Sequence, residues 1–164
     1  MNHFQSTPKD RLSYLQKLVT QFCNSNDKEL KLKSLANLAN FSYDPSNYSY
    51  LNQLKPDQLY TEEIGFIEIA CGGLCNICLD STIKENMLNH NAVELLFYCL
   101  NKNNESIVKN CLTTLMFLID DDTYDEICTY ELRDYLLELK KSINPCLSNL
   151  CNVFLYNYFE GEDN

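Results

Sequence analysis

The sequence contains no tryptophan and has only two histidines, four glycines and four prolines. So few helix-breaking residues are typical of a helical chain with few tight turns. The two histidines, His3 and His90, have no spacing that fits a metal site, and no Ser, His and Asp residues suggest a catalytic triad. We therefore expect neither an enzyme nor a small-molecule substrate, and we expect no metal or other cofactor.

Basic residues are also scarce, since 13 Lys and Arg stand against 23 Asp and Glu, a net charge of −10. Residues 1–33 contain six basic and three acidic residues, whereas residues 34–164 contain seven and twenty. This acidic body argues against broad phosphate binding, which needs clustered Lys and Arg. It favours a basic partner, such as an Arg- and Lys-rich segment or the protein component of an RNA-binding complex. Direct RNA binding is the alternative, through Lys28, Lys31 and Lys33 on one predicted helix.

Long apolar runs are absent as well. The first residues contain no apolar run typical of a signal peptide. The most apolar stretch, residues 66–79, is shorter than a membrane span and includes Glu68 and Asn76. Nine cysteines are an odd number, and most of them lie in apolar helical patterns. We therefore expect no membrane contact, no disulfide framework and a reducing compartment, either the cytosol or the nucleus.

Two short motifs resemble chemical sites. Cys75 and Cys78 form a Cys-x-x-Cys motif with Cys71 one turn earlier, but a structural zinc site needs four convergent ligands. We therefore predict that Cys78 packs in the core. Gly72 and Gly73 lack the lysine and the preceding strand of a phosphate-binding loop. Two mid-helix glycines cost up to about 2 kcal/mol, so they indicate close approach of another backbone, either a neighbouring helix or a bound partner.

One short pattern recurs four times at a nearly constant spacing. Its copies are Leu35–Ala39, Leu74–Cys78, Leu112–Met116 and Leu150–Phe154. Their leading leucines therefore recur with a period of about 40 residues, which in helical segments is the signature of a helical solenoid. Neighbouring units of a solenoid stack and share a core. The repeat therefore favours a binding surface over a catalytic pocket.

The third residue of each copy is polar in all four cases: Asn37, Asn76, Thr114 and Asn152. At about 100° per residue these positions point away from the flanking apolar residues, which we predict to be buried. The leading leucines Leu35, Leu74, Leu112 and Leu150 belong to that core face. An Asn inside a helix costs about 0.7 kcal/mol relative to Ala, so we predict a polar ladder that lines one groove and pairs with a bound chain. Plain solvation is the alternative, because the sequence has 20 Asn in 164 residues.

Apolar spacing and helix breakers divide the chain into units of a short, a medium and a long helix. The predicted helices cover approximately residues 11–23, 28–42, 47–54, 65–79, 80–89, 92–100, 106–119, 123–129, 131–142 and 144–159. The second unit has room only for a truncated middle helix at residues 57–64. We predict an all-α helical solenoid of about three and a half units. It forms a single domain at residues 10–159, after a disordered leader at 1–9 and before an acidic, frayed tail at 160–164.

A tyrosine-rich turn follows the first copy of the repeated pattern. It contains Tyr43, Asp44, Asn47 and Tyr48. Tyrosine is enriched at interfaces because it combines a rigid apolar body with a polar tip. We predict that these residues bind a partner, while a turn packed against its own solenoid is the alternative.

These residues resemble a known family. A short, a medium and a long helix per unit, with Asn in the third, are similar to the armadillo repeat. This resemblance implies that the all-α fold is a right-handed armadillo-type solenoid. Residues 11–20, 35–48, 72–78 and 112–116 closely resemble the armadillo repeat-containing protein 7 family, and the likeness covers roughly residues 11–119. It implies a non-enzymatic, nuclear splicing factor of the minor spliceosome, with the cytoplasm as a second location. It also implies a complex with an RNA-recognition-motif protein similar to RNA-binding motif protein 48 and with other spliceosomal proteins. Any contact with RNA would be at most indirect.

One departure from armadillo proteins limits the function. Those that bind nuclear-localisation signals have a Trp one turn before each ladder Asn, where this chain has Lys33, Gly72, Asn110 and Ser148. The resemblance therefore does not extend to an import receptor, and a general cytosolic peptide-binding adaptor is the other alternative. Gly72 leaves that place open, so we include it in the predicted binding groove with the ladder and the tyrosine-rich turn.

Overall fold

The computed structural model describes residues 8–54 and 63–159, and side chains from residue 10 onward. Within these ranges the chain forms ten α-helices and no strand. The helices are α1 (Pro8–Asn24), α2 (Lys28–Phe41), α3 (Tyr48–Leu51), α4 (Ile64–Ile77), α5 (Ser81–Asn89), α6 (Ala92–Leu100), α7 (Glu105–Leu118), α8 (Tyr124–Ile127), α9 (Tyr130–Leu139) and α10 (Pro145–Tyr158). Short 3₁₀ turns at Pro45–Asn47 and Asn52–Leu54 flank α3.

Side-chain caps fix where several helices begin. The side chains of Asp27, Asn104, Thr129 and Asn144 accept hydrogen bonds from the first backbone N–H groups of α2, α7, α9 and α10. These N–H groups have no partner inside the helix, so each cap typically stabilises it by about 1 kcal/mol. The three longest capped helices, α2, α7 and α10, are elements that carry copies of the repeated pattern.

The helices group into two compact units, Met1–Asn86 and Met87–Asn164, with the boundary inside α5. In the first unit α2 packs between α1 and α4. One buried cluster joins Leu15 and Leu18 of α1 to Leu38 of α2. A second joins Phe22, Leu35 and Phe66, whose two aromatic rings meet edge to face at 5.9 Å.

In the second unit α7 is the central helix and packs against both α6 and α10. Its core face is fully buried and consists of Ile107, Cys111, Leu112, Leu115 and Leu118. From α10, Phe154 is also fully buried, and its ring stacks 6.2 Å from that of Phe159. A continuous apolar face of this kind explains why α7 has the largest share of buried residues among the long helices.

The predicted helices are confirmed, with ends that differ by a few residues. The predicted leader is too long, because α1 already begins at Pro8, where the missing N–H of proline is tolerated. Residues 1–7, the tail at 160–164 and most of the predicted truncated helix at 57–64 lie outside the described residues. The single domain stays a prediction. In the described part of the chain, every helix is too short or too polar to cross a membrane.

Candidate protein-binding surface

The repeated pattern does not occupy the same place on each long helix. α2, α4, α7 and α10 are all 14 residues long. The leading leucine is the eighth residue of α2 and α7, but the eleventh of α4 and the sixth of α10. The pattern therefore lies at a different distance from the start of α4 and of α10 than in the other two helices.

The leading leucines show this difference directly. Leu35 and Leu112 are buried, with exposures of 5% and 0%, as predicted. Leu74 and Leu150 are only half-buried, so the prediction of a fully buried position is wrong for them. They lie on α4 and α10, the two helices on which the pattern is shifted.

The predicted polar ladder is wrong as a continuous feature. Thr114 is 0% exposed, and its hydroxyl donates to the carbonyl of Asn110 at 2.8 Å, so it cannot line a groove. Asn37 and Asn76 are half-buried, and Asn152 is exposed, as expected of binding residues. Three of the four positions are thus accessible to a partner, but they do not share one environment.

The tyrosine-rich turn is fastened to the first unit by two of its own residues. Asn47 is buried, donates through Nδ2 to the carbonyl of Phe41 at 2.9 Å, and accepts from an Arg11 Nη1 at 3.0 Å. Tyr48 is also buried, and its hydroxyl donates to the carbonyl of Asn76 at 2.6 Å. The prediction that Asn47 and Tyr48 face a partner is therefore wrong. They tie the turn to α1, α2 and α4, as the alternative required.

The other two residues of the turn remain accessible. Tyr43 is 79% exposed, and Asp44 is also exposed. The Asp44 carboxylate accepts the Ser46 backbone N–H at 3.0 Å. Hydrogen bonds from Ser46, backbone first, and the nearby Arg11 guanidinium lower the pKa of Asp44. The turn therefore presents an aromatic ring beside a carboxylate that stays ionised at neutral pH.

The adjacent glycines Gly72 and Gly73 of α4 have different explanations. A Cβ on Gly73 would lie 3.3 Å from the Cβ and 3.4 Å from the Cα of Ala39 on α2. A neighbouring helix therefore explains Gly73. Gly72 is half-buried and stays a candidate for partner contact. Close to this crossing, Asn76 Nδ2 donates to Ser42 Oγ at 3.4 Å, so Asn76 lies beside the start of the turn.

Two of the three basic residues of α2 contact other side chains of the first unit. Lys28 Nζ lies 2.5 Å from a carboxylate oxygen of Glu63, and Lys31 Nζ lies 5.8 Å from the ring centroid of Phe22. Lys33 is exposed. Two of the three lysines thus have intramolecular partners, which weakens the case for a phosphate-binding track on α2.

The cysteine motif is part of the core. Cys71 and Cys78 are buried and Cys75 is half-buried, and Cys78 Sγ donates to the Cys75 carbonyl at 3.2 Å. Burial raises the pKa of the Cys78 thiol to about 12. Such a thiol is protonated at neutral pH, whereas metal ligation and nucleophilic attack need the thiolate. The prediction that Cys78 packs in the core is confirmed, since its side chain is buried. None of the nine cysteines forms a disulfide.

Sequence reasoning overlooked exposed apolar residues on α10. The repeated pattern predicts that Val153, the apolar residue after Asn152, is buried, but it is 48% exposed, and Tyr156 is 71% exposed. The available signal was charge, because none of the 14 residues of α10 is Asp, Glu, Lys or Arg. An exposed helical face usually carries charged residues, so their absence marks this helix.

Comparison with known proteins relates most of the chain to one curated protein. No family model matches the sequence. The chain is similar to Armadillo repeat-containing protein 7 of Mus musculus, with 38% identity over 155 residues that cover 90% of this chain and 78% of the mouse protein.

Solved structures support the fold. Three crystal structures of engineered proteins resemble the chain with TM-scores of 0.71, 0.74 and 0.70 at 18%, 17% and 15% identity. The matches cover 84%, 88% and 84% of this chain, but only 59%, 37% and 60% of the engineered proteins. The predicted all-α, armadillo-type fold is confirmed. The 38% identity to the mouse protein, over nine-tenths of the sequence, confirms the predicted family as well. The chain belongs to the armadillo repeat-containing protein 7 family.

Proposed function

We propose that this protein is a scaffold subunit of an RNA-processing complex, a component of the minor spliceosome that binds an RNA-recognition-motif protein in the nucleus. The observation that carries this proposal is its membership of the armadillo repeat-containing protein 7 family. Armadillo repeats are protein-binding scaffolds, since stacked repeats create extended binding surfaces. Nothing in the surface described above resembles a catalytic site, and the protein acts by holding other proteins together.

The binding surface in the first unit consists of Asn37, Tyr43, Asp44, Gly72 and Asn76, called here the α2–α4 surface. It combines features that interfaces use: an exposed ring at Tyr43, a carboxylate at Asp44 with a lowered pKa, and amide side chains at Asn37 and Asn76. An ionised carboxylate beside an aromatic ring suits an Arg or Lys of the partner. Asn152 on α10 is the accessible ladder residue of the second unit.

Charge supports a protein partner over RNA. The chain has a net charge of −10, and two of the three lysines of α2 are engaged within the first unit. Strong RNA binding typically needs about 6–10 phosphate contacts, and this surface does not supply them. RNA contact is therefore made through the RNA-recognition-motif partner.

Affinity purification from nuclear extract tests this proposal. The tagged full-length chain is expected to retain an RNA-recognition-motif protein and, through it, a spliceosomal small nuclear RNA. Depleting that protein should release the RNA, while the purified chain alone should not bind a short RNA with submicromolar affinity at about 150 mM salt. Tight RNA binding without a partner would support the direct RNA-binding alternative. Recovery of cytosolic proteins alone would support a general adaptor.

A further inference from the structure

The helix α10 differs from the other long helices, α1, α2, α4 and α7, because it contains no charged residue. Charged residues make up 22% of the sequence, but none occurs among the 14 residues of α10. Its inner face is buried and consists of Leu147, Cys151, Phe154 and Leu155. The opposite face is accessible to solvent and is therefore an uncharged surface within an acidic protein.

The accessible residues of α10 form a stripe along one side. Cys146, Asn149, Val153 and Tyr156 are all exposed, and they follow one another at intervals of three, four and three residues. At about 100° per residue this spacing keeps them on one side of the helix. We call these four residues the α10 outer face. Ile143, two residues before the helix, is also fully exposed, at 101%.

The spacing of the stripe suits a helical partner. Side chains that recur every three or four residues form ridges, and a second helix packs its own ridges between them. Val153 and Tyr156 supply apolar surface, while Asn149 supplies a polar edge that can form hydrogen bonds. An exposed apolar patch with a polar rim is typical of a protein interaction site.

Charges around the stripe select the kind of helix that fits. The hydroxyl of Tyr124 donates to the carbonyl of Tyr158 at 2.7 Å, so α8 lies at the carboxyl end of α10. The exposed acidic residues Asp125 and Glu126 belong to α8, and the carboxyl end of a helix is itself partly negative. Residues 87–164 contain five basic and thirteen acidic residues. A second copy would bring like charges together here, whereas a basic segment would be attracted.

We propose that the α10 outer face binds a basic amphipathic helix of a partner protein. The apolar side of that helix covers Val153 and Tyr156, and its Lys or Arg side chains lie toward the acidic residues of α8. This site consists of residues of the second unit, and it does not depend on the role in RNA processing.

A binding assay with synthetic peptides tests the proposal on the purified full-length chain. One probe is a helical peptide of about 20 residues with Leu at every third or fourth position and Lys on its flanks. The second has Glu in place of every Lys. The Lys peptide is expected to bind at least about tenfold more tightly than the Glu peptide, because only the Lys peptide complements the acidic residues of α8 at the carboxyl end of α10.

Two tyrosines give a matched comparison within the second unit. Tyr156 on α10 and Tyr130 on α9 are 71% and 78% exposed, so neither ring supports the core. Tyr156→Ala is expected to weaken binding of the Lys peptide by at least about tenfold, as truncation of a central interface residue does, while Tyr130→Ala changes it less than about twofold. Val153→Ala provides a second variant on the stripe.

Three results would overturn the proposal. The first is equal binding of both peptides, and the second is equal loss in the Tyr156→Ala and Tyr130→Ala variants, which indicates non-specific attraction to an acidic protein. The third is self-association in sedimentation experiments that Tyr156→Ala abolishes, since the occupant of the stripe would then be a second copy.

Photo-crosslinking tests the same surface with natural partners. In nuclear extract, p-benzoylphenylalanine placed at Tyr156 is expected to attach to an apolar segment rich in Lys and Arg, identified by mass spectrometry. The same group at Tyr130 serves as the control. Attachment to an acidic segment, or to the same proteins from both positions, would contradict a specific site on α10.

Discussion

Tyrosine hydroxyls complete the ends of several helices in this protein. The donors are Tyr48, Tyr124, Tyr135 and Tyr158, and they reach the carbonyls of Asn76, Tyr158, Leu100 and Met116 at 2.6, 2.7, 3.1 and 3.5 Å. Each acceptor lies in the last turn of α4, α10, α6 or α7, where carbonyls have no partner inside the helix. These helices have no basic residue in their last turns, so tyrosine takes a role that lysine or glycine often has.

Removing one of these hydroxyls should therefore destabilise the protein without disturbing its packing. Tyr48→Phe keeps the buried ring but leaves the Asn76 carbonyl without this donor. We expect the free energy of unfolding to fall by about 1 kcal/mol, measured by urea denaturation. Tyr43→Phe is the control, because Tyr43 is 79% exposed and should change stability by less than about 0.5 kcal/mol. Equal effects of the two changes would argue against a capping role for Tyr48.

Buried thiols make stability depend on pH in the alkaline range. Burial raises the pKa of Cys78 to about 12 and that of Cys151 to about 11, whereas a thiol in the unfolded chain titrates near about 8.5. Above that value the unfolded state loses protons that the folded state retains, so stability decreases as pH rises toward 12. Cys78→Ala should reduce this decrease between about pH 8.5 and 11, measured by urea denaturation at several pH values. If the Cys78→Ala variant lost stability with rising pH as steeply as the unchanged protein, the proposed contribution of the buried Cys78 thiol would be wrong.

Sequence alone could not tell which residues of the tyrosine-rich turn are exposed to solvent. Tyr43 and Tyr48 are the same residue type five positions apart, yet one is 79% and the other 9% exposed. The difference comes from Asn76, which lies 28 residues after Tyr48 and accepts its hydroxyl. Such long-range partners are not encoded in local spacing. The prediction therefore located the turn correctly but assigned Asn47 and Tyr48 to the wrong role.

At the scale of elements, the positions of the helices could be predicted from the sequence. The position of the repeated pattern within each helix, and the burial of its residues, could not. Caps such as Asp27 and Asn144 and the 3.6-residue periodicity are local signals, which explains the agreement of helix positions. The repeated leucines keep a nearly constant interval, whereas the starts of the four long helices are spaced less evenly. Each helix start depends on its own local signals and not on the repeat. The repeated pattern therefore begins at a different position within α4 and α10. Packing of each helix against its neighbours decides burial, so Thr114 is buried whereas Asn152 is exposed.

The crossing of α2 and α4 depends on a residue without a side chain. A Cβ at Gly73 would lie 3.4 Å from the Cα of Ala39, which is backbone and cannot move aside easily. Gly73→Ala gains up to about 1 kcal/mol in helix propensity, but overpacking of a tight contact typically costs about 1–3 kcal/mol. We expect a net loss of about 1 kcal/mol in the free energy of unfolding, measured by thermal or urea denaturation.

The control for this change lies on the same helix. At Gly65 the nearest atom to an added Cβ is Leu32 Cδ1 at 3.9 Å, an ordinary contact. Gly65→Ala should therefore stabilise the protein by about 0.5 kcal/mol, because it restricts the unfolded chain without a clash. Stabilisation by both changes would mean that α2 can move away from α4, and that the close crossing is not required.

For the whole molecule, the amino-acid composition and the period of the repeated pattern predicted the fold class. Partner binding depends instead on which residues reach the surface. A repeat of about 40 residues, together with few glycines and prolines, indicated a helical solenoid, since both are properties of the entire chain. The binding residues could not be derived in the same way. Whether Asn37 or Val153 reaches solvent depends on how the helices pack within each unit, which the period does not determine.

The proposed partner surface can be tested with two accessible residues of the first unit. Asn37→Ala with Tyr43→Ala removes an amide and an exposed ring from the α2–α4 surface, and neither side chain belongs to the buried core. Because truncation of central interface residues typically costs about 2 kcal/mol or more, we expect binding of the RNA-recognition-motif partner to weaken more than about tenfold. Calorimetry with purified proteins measures the affinity, and circular dichroism should show unchanged helix content.

Tyr130→Ala, which removes a 78% exposed ring from the second unit, should leave the affinity unchanged. If the double variant binds normally and Tyr156→Ala does not, the RNA-recognition-motif partner occupies the α10 outer face, since the two surfaces belong to different units.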